Sequence, residues 1–410
     1  MRLKRKRVLG IVLGGGKGER LFPLTSERSK PAVPFGGKYR IIDFVLSSLV
    51  NSGLRSIYVM VQYKSQSLIE HLRQSWRARG LTQEEFITVV PHQIKKGEYW
   101  YRGTADAVAQ NLNLIYDFNP DIVVVFGADH IYRMDINQMI EFHCKNKAEV
   151  TVATLPVPKS EASSFGVVQT DKKQKVAGFM EKPEKPKSLR GRKNQVLASV
   201  GNYVFNADTL IEIIKSSPKD YAEHDFGKNI MPKIHMNYNT YAYNLEDNVI
   251  PGLKKYESPG YWRDVGTIAS YWQAHMDLLG EKPAFNLDNL FWPIHSGRHE
   301  GPPSHIISGK VSDSIFGGGC IVNGSNLRKC VLGRNIVIEK GCDIEESVIM
   351  DGAHIGAGSK IFRSILDRFN KIPKDSYIGK GRGIEYGAYA GENGIMVIPR
   401  GKRGENSFYD

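Results

Sequence analysis

Four cysteines in 410 residues, Cys144, Cys320, Cys330 and Cys342, form no Cys-x-x-Cys pair and no zinc-ligand spacing. That argues against a disulfide scaffold or a thiolate metal site and points to a reduced, cytoplasmic protein. No apolar run approaches the length of a membrane span, so no membrane partner is expected. Arg2-Leu3-Lys4-Arg5-Lys6-Arg7 precedes a short apolar run that opens directly into glycines, which makes a poor signal peptide. A P-loop is missing too, because no Gly-Lys pair has the required upstream glycine and a following Ser or Thr. The dinucleotide fingerprint fails as well, since Glu19 stands where its third glycine belongs. The net charge is +13, yet outside the N-terminus there is no basic-aromatic pattern or nucleic-acid module. The excess charge attracts anions, and phosphorylated metabolites fit better than nucleic acid. The basic N-terminus reads as a solvated tail, with help in binding an anionic effector as the alternative.

What is abundant is glycine, 41 residues, and apolar sequence, 41% of the chain. The length suits two or three domains. Val8–Leu13, Ser56–Val61, Phe86–Val90, Ile122–Phe126 and Val150–Leu155 read as strands. Ile41–Ser52, Lys64–Ala78, Ala105–Phe118 and Ile136–Asn146 read as helices. That alternation predicts an α/β, Rossmann-like domain with a mainly parallel sheet over residues 1–279. Residues 280–303, with four prolines, read as a linker. From 304 to 410 helical periodicity stops. Ile315, Ile321 and Leu327 begin a pattern that recurs at Leu332, Ile338 and Ile344, at Ile349, Ile355 and Ile361, and at Leu366, Ile372 and Ile378. Three apolar positions per 17-residue coil predict a left-handed β-helix of hexapeptide units.

The segment Leu13-Gly14-Gly15-Gly16-Lys17-Gly18-Glu19-Arg20 follows a predicted strand. Glycines let a backbone approach a ligand closely, and amides at a strand end can face a phosphate. A glycine turn with surface charges is the alternative. Asp129, in Gly127-Ala128-Asp129-His130, follows another strand and is expected at the same sheet edge. A carboxylate there would hold Mg²⁺, or else cap the helix starting near Met134. Asp264 is the best candidate for a second carboxylate. Lys30 and Lys182 each precede proline, so both should sit on extended backbone. Glu181 beside Lys182 suits a sugar phosphate. Trp100-Tyr101-Arg102-Gly103-Thr104 leads into a helix whose N-terminus would suit a nucleotide. His354 precedes an inward isoleucine and should face solvent, which argues against an acyl-transferring β-helix.

GGGKGERL, SKPAVPFGGKYRIIDF, WYRGTADAV, GADHIYRMD, EKP, HDFGKNIMPK and YWRDVGT occur in this order. Together they resemble the bacterial ADP-glucose pyrophosphorylases (glucose-1-phosphate adenylyltransferases), over nearly the whole chain. The resemblance implies transfer of the adenylyl group of ATP to glucose 1-phosphate, feeding glycogen synthesis. It implies that Gly15, Gly16, Lys17, Gly18 and Arg20 meet the triphosphate. Lys30 would stabilise developing charge, and Gln62, Tyr101, Gly103 and Thr104 would surround the nucleotide. Asp129 and Asp264 would hold Mg²⁺. Gly166, Glu181, Lys182, Ser199, Asp225 and Trp262 would form the glucose 1-phosphate site. A homotetramer regulated by anionic metabolites is the family expectation. A non-catalytic paralogue and a related enzyme using another nucleotide are the alternatives. Glu27, where relatives carry a basic residue near their activator region, and Asn202, where isoleucine is common, depart from the pattern.

Overall fold

The computed structural model describes residues 6–76, 84–93, 100–189, 191–217, 224–297 and 301–402. Its first part is built on a sheet that contains nine strands among the described residues. Four of them are parallel, in the order Ile122–Gly127, Val8–Leu13, Ser56–Val61, Phe86–Pro91. Leu9, Ile11 and Val12 on the second strand are fully buried, as a parallel strand covered on both faces requires. Leu13 lies opposite Gly127, so the glycine loop and Ala128-Asp129 leave the sheet side by side. This is the shared edge expected of two loops that follow strand ends in a parallel sheet.

Beyond Ile122–Gly127 the direction reverses. Gln195–Asn206 runs antiparallel to it and carries Val150–Pro158 and Gly166–Thr170, both antiparallel. Its register slips between Ser199 and Tyr203. The expected helices are present as Ile42–Asn51, Gln66–Ser75 and Ile136–Lys145. Arg77 and Ala78, at the expected end of the second, lie outside the described residues. The expected helix Ala105–Phe118 is instead two, Thr104–Ala109 and Leu112–Phe118. Asn111 makes the break: its amide donates to the Ala107 carbonyl and the Tyr101 hydroxyl, competing with the helical backbone.

Residues 280–297 pack onto this domain. Phe285, Trp292 and Ile294 are buried, and Asn51 donates to the Pro293 carbonyl at 2.9 Å.

The C-terminal part is the left-handed β-helix, three sheets of parallel strands forming a prism, one of them ending in the antiparallel pair Tyr389–Ala390 and Met396–Ile398. Leu327, Ile344, Ile361 and Ile378 stack inward on one face, and Leu332, Ile349 and Leu366 on another. The repeat departs from expectation in its first coil. Ile321 pairs with Val337, and Val322 takes the inward position opposite Ile338. Val322 is fully buried whereas Ile321 is 41% exposed. Ile315 likewise aligns with Val331, and Phe316 with Leu332. This coil is one residue shorter than the later ones, so counting back by seventeen misplaces two side chains. The buried thiols of Cys320, Cys330 and Cys342 point to backbone carbonyls at the prism corners.

The two parts share a core. Phe35, Tyr271 and Trp272 pack with Val348, Met350, Ile365 and Val397. The Trp272 indole also donates to the Glu346 carbonyl at 2.7 Å. No described helix is long and apolar enough to cross a membrane.

Candidate active site

A cleft of about 400 Å³ opens at the carboxyl ends of the parallel strands. Its floor is one ammonium held between two carboxylates. The Lys30 ammonium donates to Asp129 Oδ2 at 3.1 Å and to Asp264 Oδ1 at 2.9 Å. These residues come from positions far apart in sequence. Asp264 arrives through a short antiparallel ribbon in which Trp262–Asp264 pairs with His130–Tyr132, placing Asp264 opposite His130. Lys30 opens a short 3₁₀ turn, Lys30–Ala32, and Lys182 sits at a left-handed φ of 46°, so neither lysine lies on the extended backbone expected before proline. Asp129 is not a helix cap. The helix Ile136–Lys145 is capped by Asp135, which accepts from the Asn137 amide.

The electrostatics follow from this proximity. Burial works against the Lys30 charge, but Asp129 and Asp264 outweigh it and raise its pKa. Burial alone would raise Asp129 too; His130 and Lys30 instead hold it well below the usual carboxylate range. Burial pushes His130 down. Oxygens of Asp129 and Asp264 and a ring nitrogen of His130 lie within 4.8 Å of one another. The His130 Nδ1 is buried, makes no hydrogen bond, and lies 3.3 Å from Asp129 Oδ1. Two carboxylates and a ring nitrogen on one small volume fit a divalent cation.

One wall is the glycine loop. Gly15 and Gly16 line the cleft, and Gln62 reaches across to donate to the Gly15 carbonyl at 3.2 Å. The same Gln62 accepts from the Tyr101 amide at 2.8 Å. Gly103 and Thr104 complete this side. Gly103 must be glycine, because a Cβ there would sit 2.4 Å from the His224 carbonyl oxygen. That carbonyl also accepts from the Ala105 and Asp106 amides. The Ala105 and Asp106 amides are therefore engaged by protein rather than left to face a ligand.

The opposite wall carries Gly166, Glu181, Ser199, Asp225 and Trp262. A Cβ on Gly166 would meet Phe179 at 2.5 Å and Glu181 at 2.9 Å. Burial raises the Glu181 pKa despite Lys182. Asp225 accepts from the Gly227 and Lys228 amides and from the Thr104 hydroxyl, tying this wall to the first. Trp262 stacks on His130 with ring centroids 4.5 Å apart.

Lys17, Gly18, Arg20 and Lys182 are not part of the walls. Lys17 lies 3.7 Å from Glu19, Arg20 lies 4.0 Å from Asp264, and Lys182 lies 4.0 Å from Glu181. These three side chains are mostly exposed, so solvent rather than protein holds them. Gly18, in left-handed conformation at φ 67°, backs onto Lys30. Sequence reasoning missed His130 and Tyr203, which line the cleft. The position of His130 directly after Asp129 was the available signal.

Residues 9–281 match the nucleotidyl transferase family, and residues 303–398 match the GlmU-like C-terminal hexapeptide family. A protein of Thermodesulfovibrio yellowstonii named glucose-1-phosphate adenylyltransferase is 50% identical over 399 residues, covering 97% of each chain. Proteins of the same name from Corynebacterium jeikeium and Aliivibrio fischeri strain ES114 are each 45% identical over at least 96% of both chains. With the cleft and the β-helix in the same order along the chain, this protein belongs to the glucose-1-phosphate adenylyltransferase family of nucleotidyl transferases.

Proposed function

We propose that the protein transfers the adenylyl group of ATP to glucose 1-phosphate. A phosphate oxygen of the sugar attacks the α-phosphorus, the bond to the β-phosphate oxygen breaks, and ADP-glucose and pyrophosphate leave. The observation that carries this reading is Lys30 bridging Asp129 and Asp264 beneath a glycine loop. Such a displacement needs positioning and charge neutralisation rather than acid–base work. Gly15 and Gly16 cradle the triphosphate, with Lys17, Gly18 and Arg20 completing its contacts. Gln62, Tyr101, Gly103 and Thr104 hold the adenosine side. Gly166, Glu181, Lys182, Ser199, Asp225 and Trp262 hold the sugar phosphate. Asp129 and Asp264 hold Mg²⁺, which when bound neutralises phosphate charge. Lys30 reaches the same oxygens from below and stabilises charge as it develops.

With ATP, glucose 1-phosphate and Mg²⁺ supplied, pyrophosphate release is the expected result; a clear preference for UTP or dTTP overturns the assignment. A non-catalytic paralogue is disfavoured because Lys30, Asp129, Lys182 and Asp264 are all retained. Acyl transfer by the β-helix is disfavoured because His354 is engaged by Glu339 at 2.7 Å.

The protein works as a cytoplasmic homotetramer regulated by anions. A polar crevice of about 110 Å³ between the two parts is lined by Arg40, Arg334 and Arg368. Burial and the nearby Arg28 charge push Arg40 and Arg368 each down to about 10, still charged at neutral pH. Three half-buried guanidinium groups outnumber Asp351, the carboxylate in the same lining, and favour an anionic ligand. Titrating sugar phosphates, pyruvate, AMP, phosphate and sulfate should shift kcat or KM with at least one of them. Unchanged kinetics with all refutes regulation.

A further inference from the structure

We infer that the buried Arg28–Asp367 ion pair is a positioning device, through which the β-helix sets where Lys30 stands in the cleft. This rests on the reading of Lys30 given above. The segment from Leu24 to Lys30 links three parts of the molecule. At one end the Thr25 hydroxyl donates to the Gly18 carbonyl at 2.9 Å, so the segment touches the glycine loop. A Cβ built on Gly18 would lie 3.0 Å from Lys30 Cβ, so the segment returns to that loop at its other end. Lys64 staples the turn: its ammonium donates to the Thr25 carbonyl at 3.3 Å, and its carbonyl accepts from the Ser29 amide at 3.3 Å.

Between these contacts stands Arg28. Its side chain is 2% exposed, its Nε donates to the Leu24 carbonyl at 3.0 Å, and its Nη2 donates to the Asp367 carboxylate. Asp367 is fully buried and belongs to the β-helix, just after the strand Ser364–Leu366. It is held there twice. Its amide donates to the Ile398 carbonyl at 3.0 Å, and its Oδ1 accepts from the Arg368 amide at 2.6 Å. The Arg28 charge lies close enough to Arg40 and Arg368 to lower both, so Asp367 is the counter-charge that lets it stay buried. A second tether, Glu27 to Arg400 at 2.7 Å, joins the same two parts. It is half-exposed and contributes little.

The buried pair behaves differently. Removing one partner leaves a charge without compensation in a dry site, and the chain must move to relieve it. Lys30 is two residues away, and its ammonium is shared between oxygens at 2.9 and 3.1 Å. A displacement of about 1 Å at such a group is enough to cost rate without removing binding contacts. Arg28 and Asp367 line no wall of the cleft, so any effect they have on turnover passes through Lys30 and the glycine loop.

The test is Asp367→Asn in the full chain, which keeps the side-chain volume and removes the charge. Turnover, both substrate KM values and thermal melting are measured, with kinetics taken well below the melting temperature. The expected result is a kcat lowered roughly 10- to 100-fold with both KM values near the parent's. Asp367→Glu should recover part of the loss. Should Asp367→Asn fail to fold, Arg28→Lys, which keeps the charge but loses the fork, carries the same expectation. Lys30→Gln is run in parallel. Parental kcat in the folded ion-pair variant beside an inactive Lys30→Gln overturns the coupling and leaves the site reading intact. A loss confined to raised KM also overturns it. An active Lys30→Gln overturns the reading of the site itself, and the coupling with it.

Discussion

Asp129→Asn should lower kcat on the order of 10²-fold or more while the protein melts near the parent temperature. The substitution keeps size and hydrogen-bonding capacity and removes one negative charge. That charge is prepared in advance. Asp129 sits against Lys30 at 3.1 Å and His130 at 3.3 Å, and its pKa is held down despite burial. The side chain remains 41% exposed, so it faces the cleft rather than being sealed beneath it. A neutral amide would hold a divalent cation there more weakly, and it leaves Asp264 as the remaining carboxylate on Lys30. Preorganised charge of this kind acts where phosphate charge shifts between attacking and leaving oxygens. Steady-state pyrophosphate release at saturating ATP and glucose 1-phosphate checks it. Turnover near the parent's would remove Asp129 from its assigned role.

The parts of this site that a sequence can display are those encoded locally. Val8–Leu13 and Ile122–Gly127 are unbroken apolar runs, so their shared edge follows from parallel pairing. The inward isoleucines of the β-helix follow from a fixed repeat, until the first coil drops one residue and Ile321 turns outward. The meeting of Asp264 with Asp129 has no local signature. It depends on a three-residue ribbon closing across more than a hundred residues. The His224 carbonyl that takes the Ala105 and Asp106 amides is equally invisible, because a backbone acceptor leaves no mark on residue type. Asn111 is different. Its preference for bonding nearby backbone was readable, and the expected single helix overlooked it.

Lys30→Gln should lower kcat on the order of 10²- to 10³-fold and, in the same protein, tighten binding of a divalent cation. The two effects have opposite signs for one reason. The raised pKa keeps the ammonium charged at neutral pH, where it already neutralises part of the Asp129 and Asp264 charge. A metal entering this site competes with that ammonium for the same two carboxylates, at 2.9 and 3.1 Å. Removing it leaves two negative groups facing each other, and their repulsion is relieved by any cation that arrives. The gain in affinity should be about 10-fold, a figure limited by the solvent that reaches both carboxylates through the cleft. On the proposed reading, catalysis needs the ammonium for another purpose, as a fixed positive charge beneath the phosphates. Calorimetric titration of the substrate-free protein with Mg²⁺, beside steady-state rates, separates these claims. A misfolded site would lose both activity and metal affinity. Lost activity with unchanged metal binding would show that Lys30 does not share the carboxylates with the cation, and that its position between them has another cause.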